Sequence, residues 1–163
     1  MDVIEYDGEI TRLARRWFYL DELERTVGDR LRVITAEARS YLGVTSVGHR
    51  RYDVVVSDCF GGAEPVRELA TVEALRLVRG SLNVGGVYVA NIMSANEGSD
   101  ATFLRDCAAT ALEVFAHAWV VPCGDAEFGG EENYLLIASD GDYAFAEAVP
   151  FDTDFLGTVL HDK

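Results

Sequence analysis

Carboxylates are the side chains of this 163-residue sequence best placed to do chemistry, because they recur where apolar runs end. Val3-Ile4 leads into Glu5 and Asp7, Leu31 to Thr35 into Ala36-Glu37, and Tyr52 to Ser57 into Asp58, while a fourth run, Val87 to Ile92, carries Asn91. An ionised carboxylate offers two acceptor oxygens, and an amide offers both a donor and an acceptor. Other chemistries have less support. His49, His117 and His161 lack HxE or HExxH spacing, and Cys59, Cys107 and Cys123 form no CxxC pair, so no metal site is expected. Trp17, Phe18, Tyr19, Trp119 and Phe128 could stack on a ligand, but Trp17 and Trp119 fall on apolar faces and are expected in the core. Asp125, Glu127, Glu131 and Glu132 make an acidic loop that could hold a cationic ligand, for which solvation is the simpler account.

The elements that position these groups alternate in type. Asp2 to Tyr6 reads as a strand and Ile10, Leu13, Ala14 and Trp17 as one face of a helix. After a polar stretch through Gly28 and Asp29, Leu31 to Thr35 is a second strand, and Ala38, Tyr41 and Leu42 mark a short helix stopping near Gly43. Tyr52 to Ser57 is β-branched and apolar on both faces, as a central parallel strand covered by helices would be. A Gly- and Pro-containing loop from Cys59 to Glu68 precedes a helix with Val72, Leu75, Val78 and Leu82 inward. Gly85-Gly86 turns into the strand Val87 to Ile92. Thr102 to Phe115 is helical through Leu104, Ala108, Ala111 and Phe115, and His117 to Val121 and Tyr134 to Ser139 close the pattern as an antiparallel edge pair. The expectation is one α/β domain over residues 1–163, a Rossmann-like, doubly wound and mostly parallel sheet, with a tail of unassigned structure from about residue 140. In such sheets ligands bind beyond the carboxyl ends of the strands, where the carboxylates lie.

Composition narrows the partners. Acidic residues number 28 against 14 basic, a formal charge of -14, which disfavours binding to a nucleic-acid backbone. No apolar run approaches the roughly 18 residues of a membrane span, and Met1-Asp2-Val3-Ile4-Glu5 lacks the basic start of a signal peptide. Reduced thiols in a cytoplasmic protein with no membrane partner are therefore expected.

The segments VIEYDGEI, RLRVITAEARSYL, YDVVVSDCFGGAEPVREL and LNVGGVYVANI resemble, in order and spacing, the spermidine synthases, within the S-adenosylmethionine-dependent methyltransferase fold class. The resemblance runs from the start of the chain to about Ser139. It implies aminopropyl transfer from decarboxylated S-adenosylmethionine to putrescine, with methyl transfer from S-adenosylmethionine as the sibling reaction. By position it implies that Glu5, with Asp7 after it, meets the ribose, that Ala36-Glu37 replaces the Gly-Asp that meets adenine, and that Asp58 helps deprotonate the attacking amine. A second acid three residues beyond is replaced by Gly61. The glycine-rich nucleotide turn after the family's first strand has no counterpart, since the match begins at the second strand. Gly61-Gly62, Gly85-Gly86 and Gly129-Gly130 lie at the wrong places to stand in for it. The resulting expectation is a fold truncated at its amino terminus, with little or no aminopropyl transfer by the chain as it stands. A non-catalytic remnant is the competing class. In the family fold the missing strand is central, so its absence leaves edges on Val3 to Glu5 and Tyr52 to Ser57 that a homodimer would cover.

Overall fold

The computed structural model describes residues 1–48, 50–61, 64–95, 102–124, 131–150 and 157–163. They form two compact units, Met1–Val44 and Thr45–Lys163.

In the first unit, β1 (Asp2–Glu5) runs parallel to β2 (Arg32–Thr35) in the register Asp2↔Arg32 to Glu5↔Thr35. Between them come α1 (Gly8–Trp17), α2 (Leu20–Val27) and a 3-10 turn at Gly28–Arg30, and α3 (Ala38–Val47) follows β2. The strand pair is fixed from the side as well, because Arg32 Nε donates to Asp2 Oδ1 at 2.8 Å and the Tyr41 hydroxyl donates to Asp2 Oδ2 at 2.8 Å. The α2 helix occupies the stretch that reads as a polar connection; Arg15 of α1 grips Glu24 of α2 with two bonds of 2.8 and 2.9 Å. The α3 helix continues through Gly43, where a stop is expected, because one glycine costs only about 1 kcal/mol against alanine.

The amphipathic stripe on α1 is real but uncovered. Trp17, expected in the core, is 63% exposed, and Ile10, Phe18 and Tyr19 are exposed with it. A two-stranded sheet offers too little apolar surface to bury a helix face, and the Arg16 guanidinium lies over the Trp17 ring at 4.8 Å instead.

The second unit is built on a five-stranded sheet in the order β3-β6-β8-β7-β9, comprising β3 (Tyr52–Ser57), β6 (Leu82–Ala95), β7 (His117–Pro122), β8 (Glu131–Ser139) and β9 (Val149–Pro150). A separate two-residue hairpin pairs β4 (Phe60–Gly61) with β5 (Glu64–Pro65). β3 and β6 are parallel, and β8 enters antiparallel between β6 and β7, so β3, β6 and β7 share one direction. The closing pair is antiparallel as expected, with β9 beyond it at the rim. The β6 strand starts earlier than its apolar run, at Leu82, and Gly85 at φ 72° accommodates the register shift opposite Tyr52 to Val54.

Helices α4 (Val72–Ser81) and α5 (Thr102–Val114) supply the core of this unit. Val72, Leu75, Val78 and Leu82 are all buried, as their spacing predicts, and they share the core with Tyr88, Ile92, Ala108, Ala111, Phe115, Trp119 and Leu136. The tail after residue 140 has structure at its far end: Thr158 N–H donates to Asp106 Oδ1 at 2.7 Å, Leu160 N–H to Thr110 Oγ1 at 2.9 Å, and Val72 N–H to the Leu160 carbonyl at 2.9 Å.

The β3 strand departs from its expected surroundings. It lies at one rim of its sheet, with Val54 52% and Val56 68% exposed, so its apolar second face is open and not covered. Among the described residues β1 pairs with β2 alone and β3 with β6 alone, leaving each strand one unpaired edge.

Candidate functional site

In the first unit the two parallel strands end level, and the residues after them converge. Ala36 N–H donates to the Glu5 carbonyl at 3.0 Å, which ties the end of β2 to the end of β1. Glu5 turns its Oε1 to the Asp7 N–H at 2.8 Å, and Asp7 caps α1 by accepting from Glu9 N–H at 2.8 Å. Glu37 does the same for α3, accepting from Arg39 N–H and Ser40 N–H at 2.7 Å each. Burial works to raise the Glu37 carboxyl, but the Ser40 side chain and the two backbone N–H groups outweigh it and hold it below the ordinary carboxylate value. Four expected residues, Glu5, Asp7, Ala36 and Glu37, thus meet at one end of one strand pair. Each of the three carboxylates already has a local bond, and each oxygen retains further acceptor capacity for a ligand.

In the second unit Asp58 follows directly on β3. Its Oδ1 accepts from Asn91 Nδ2, on the parallel neighbour β6, at 2.9 Å. Parallel pairing of Ser57 with Ala90 brings the two side chains level. The Asn91 Oδ1 is buried and has no hydrogen-bond partner among the described residues. Ser57, Cys59 and Asn91 line a cavity of ≈ 30 Å³ together with Tyr88, Phe103 and Cys107. Burial pushes the Tyr88 phenol well up, against the Ser57 side chain, which bonds it and pulls the other way. Burial, assisted by the Asp106 charge, pushes the Cys107 thiol up to about 12. Both groups are neutral at physiological pH, so these two walls carry no charge.

The remaining candidates disperse. Trp119 is buried at 7% exposure and packs edge-on to Phe145 at 5.1 Å, a core role. His117 stacks on Trp119 and His161 pairs with Glu73 at 3.1 Å, whereas His49, Phe128, Asp125 and Glu127 lie outside the described residues. Glu131 and Glu132 belong to β8 and not to a loop. Among the described residues no group of three His, Cys, Asp or Glu could hold a metal ion, and no helix is long and apolar enough to cross a membrane. Asn91 was legible as a strand-end residue; its bond to Asp58 was not, since it depends on which strand lies beside β3.

Comparison with known proteins finds relatives for much of the chain. The chain is 32% identical over 97 residues to a polyamine aminopropyltransferase of Vibrio vulnificus, a match covering 60% of the chain and 31% of that relative. It also superposes on a probable spermidine synthase from Corynebacterium glutamicum with a TM-score of 0.78 and 25% identity, over 99% of the chain and 63% of that protein. The chain is spermidine synthase-like. It spans under a third of the curated relative and under two thirds of the structural one. At the level of fold alone it is similar to a spermidine synthase in complex with the transition-state analogue AdoDATO (TM-score 0.64, 20% identity, 86% of the chain and 46% of that protein). A methyltransferase from Pyrococcus furiosus is similar in the same sense (TM-score 0.56, 17% identity, 86% and 62%). The fold is therefore the methyltransferase-type α/β fold. No family model matches the chain.

Proposed function

We propose that the strand-end groups of this spermidine synthase-like chain serve aminopropyl transfer. Glu5, with Asp7, receives ribose hydroxyls, Ala36-Glu37 receives the adenine edge, and Asp58 receives the acceptor amine. The observation that carries the reading is Asp58 at the carboxyl end of a parallel strand, anchored by Asn91 beside a cavity. The donor is decarboxylated S-adenosylmethionine. The neutral amine nitrogen attacks the aminopropyl methylene on the sulfonium; a C–N bond forms, the C–S bond breaks, and its electron pair stays on sulfur to give 5'-methylthioadenosine. Asp58 takes the proton that the nitrogen sheds and passes it to solvent.

Incubation with decarboxylated S-adenosylmethionine and an amine, with chromatographic detection of 5'-methylthioadenosine, tests this. Product is expected only with both substrates and at a low rate, and Asp58→Asn is expected to slow its release by a further factor of about 10²–10⁴. Equal rates in the variant would remove Asp58 from the chemistry. S-adenosylhomocysteine formed from S-adenosylmethionine would assign methyl transfer instead.

The partner we propose for the open rim of β3 is a second copy of the chain. Antiparallel pairing of two β3 strands centred on Val55 sets Val54 of each copy beside Val56 of the other and pairs the open β3 edge of both copies.

A further inference from the structure

The open stripe on α1 has the layout of a seam between two helices. Ile10, Leu13 and Trp17 follow at steps of three and four residues and all are exposed, as are Phe18 and Tyr19 at the corner between α1 and α2. Thr11 is buried about a third of a turn away, so the face that α1 packs inward is not the face it leaves open. The corner is also strained. Tyr19 has φ 60°, a conformation that bulky L residues adopt at a cost, and its side chain, with the residue 75% exposed, recovers little of that cost by packing. Trp17, Phe18 and Tyr19 are 63–76% exposed, and with Ile10 and Leu13 beside them the apolar surface offered is about 500 Å², enough for one side of a small interface.

Charge selects the occupant. Glu9 and Arg16 each stand one residue before a seam position, Ile10 and Trp17, so they lie on the same flank with opposite signs at its two ends. In an antiparallel pairing of two copies about a two-fold axis the same flanks meet in reversed order, and Glu9 of each copy faces Arg16 of the other. A parallel pairing sets that flank against the Ala14 side, which has no charge to offer. Both groups are accessible for this: the bonds from Arg12 go to Glu9 Oε2 and leave Oε1 for a further donor, and the Arg16 guanidinium rests on the exposed Trp17 ring. Met1–Val44 holds nine acids and seven bases, so two copies of this unit meet with little net repulsion, whereas the other unit carries nearly all of the formal charge of -14.

We infer that α1 is a self-recognition surface: two copies of the chain pair through antiparallel α1 helices, with Ile10, Leu13 and Trp17 along the seam and Glu9 of each copy against Arg16 of the other on its flank. The contact is separate from the pairing proposed for β3. A seam confined to a helix of 10 residues and its corner belongs to the small, transient class of interfaces.

The test uses the full chain carrying Val56→Lys, which takes the β3 edge out of the measurement. Sedimentation velocity from about 10 µM to about 1 mM is expected to show monomer giving way to dimer, with half-association near about 0.1 mM. The Trp17 indole N–H resonance is expected to move over the same range while that of the buried Trp119 stays in place. Glu9→Arg and Arg16→Glu, each alone, set like charges opposite one another and are expected to weaken association about tenfold, whereas an equimolar mixture of the two regains it as a mixed pair. Leu13→Lys, at an exposed seam position, is expected to abolish association and keeps the test decisive if a charge variant does not fold. A chain that stays monomeric at about 1 mM with the Trp17 resonance unmoved would overturn the proposal. So would Leu13→Lys associating as the parent does, or a mixture of folded charge variants associating no better than either alone.

Discussion

Gly157 is where the docked tail meets α5, and it leaves no room for a side chain. A Cβ there would lie 2.2 Å from the Arg105 carbonyl oxygen, 2.6 Å from its carbon and 3.0 Å from the Ala109 Cβ. Two of these are backbone atoms of a helix and cannot swing aside, so Gly157→Ala must push the tail outward by about 1 Å to reach ordinary contact. Thr158 N–H to Asp106 Oδ1, now 2.7 Å, and Leu160 N–H to Thr110 Oγ1, now 2.9 Å, then both pass the limit of a hydrogen bond. Asp106 and Thr110 are buried, which removes water as a ready replacement. With about 1.5–3 kcal/mol for the bond to a carboxylate and about 0.5–1.5 for the neutral one, the expected loss is about 2–4 kcal/mol. For a chain of this size that lowers the melting temperature by about 5–15 °C. Thermal unfolding by circular dichroism reads the loss, and hydrogen exchange at the Thr158 and Leu160 amides locates it. A variant melting within about 1 °C of the parent, with both amides still protected, would show that the tail is not held as described.

Two further outcomes follow from the carboxylates and the open strand. Because Glu37 is held below its ordinary value of 4.5, the stability it contributes is present above that pH and disappears as pH falls through the folded value. Urea unfolding should therefore find Glu37→Gln less stable than the parent at pH 7, with the gap closing toward pH ~3; a constant gap would place the effect in packing and not in charge. Val56→Lys, a charge on the exposed rim of β3, should convert the dimer to monomer in sedimentation velocity at micromolar concentration, and a parent chain that is already monomeric would refute the strand pairing.

The sequence was most legible where local pattern and tertiary environment agree. Val72, Leu75, Val78 and Leu82 recur at helical spacing and are buried, and the β-branched run Tyr52 to Ser57 is a strand with Asp58 at its end. It was least legible where a residue's surroundings come from distant chain. Trp17 sits on an amphipathic stripe, yet a stripe states what a helix could bury and not whether a surface is there to cover it. Val54 and Val56 announce burial on both faces and lie on a rim, for the same reason. The α2 helix was hidden because its residues are mostly polar; its Glu24 pairs with Arg15 of α1, a contact that no local pattern announces. At the site, the acids were readable from strand ends, whereas the Asn91 bond and its orphan oxygen required the pairing of β3 with β6, which no local signal encodes.

Binding of 5'-methylthioadenosine, followed by calorimetry in the parent, Glu5→Gln and Asp58→Asn, tests the aminopropyl-transfer account most directly. The account predicts saturable one-to-one binding, weakened about tenfold or more in Glu5→Gln, which loses a charged acceptor for the ribose, and nearly unchanged in Asp58→Asn, whose role is with the amine. Equal binding by the parent and Glu5→Gln, or no saturation by the parent at millimolar nucleoside, would contradict it.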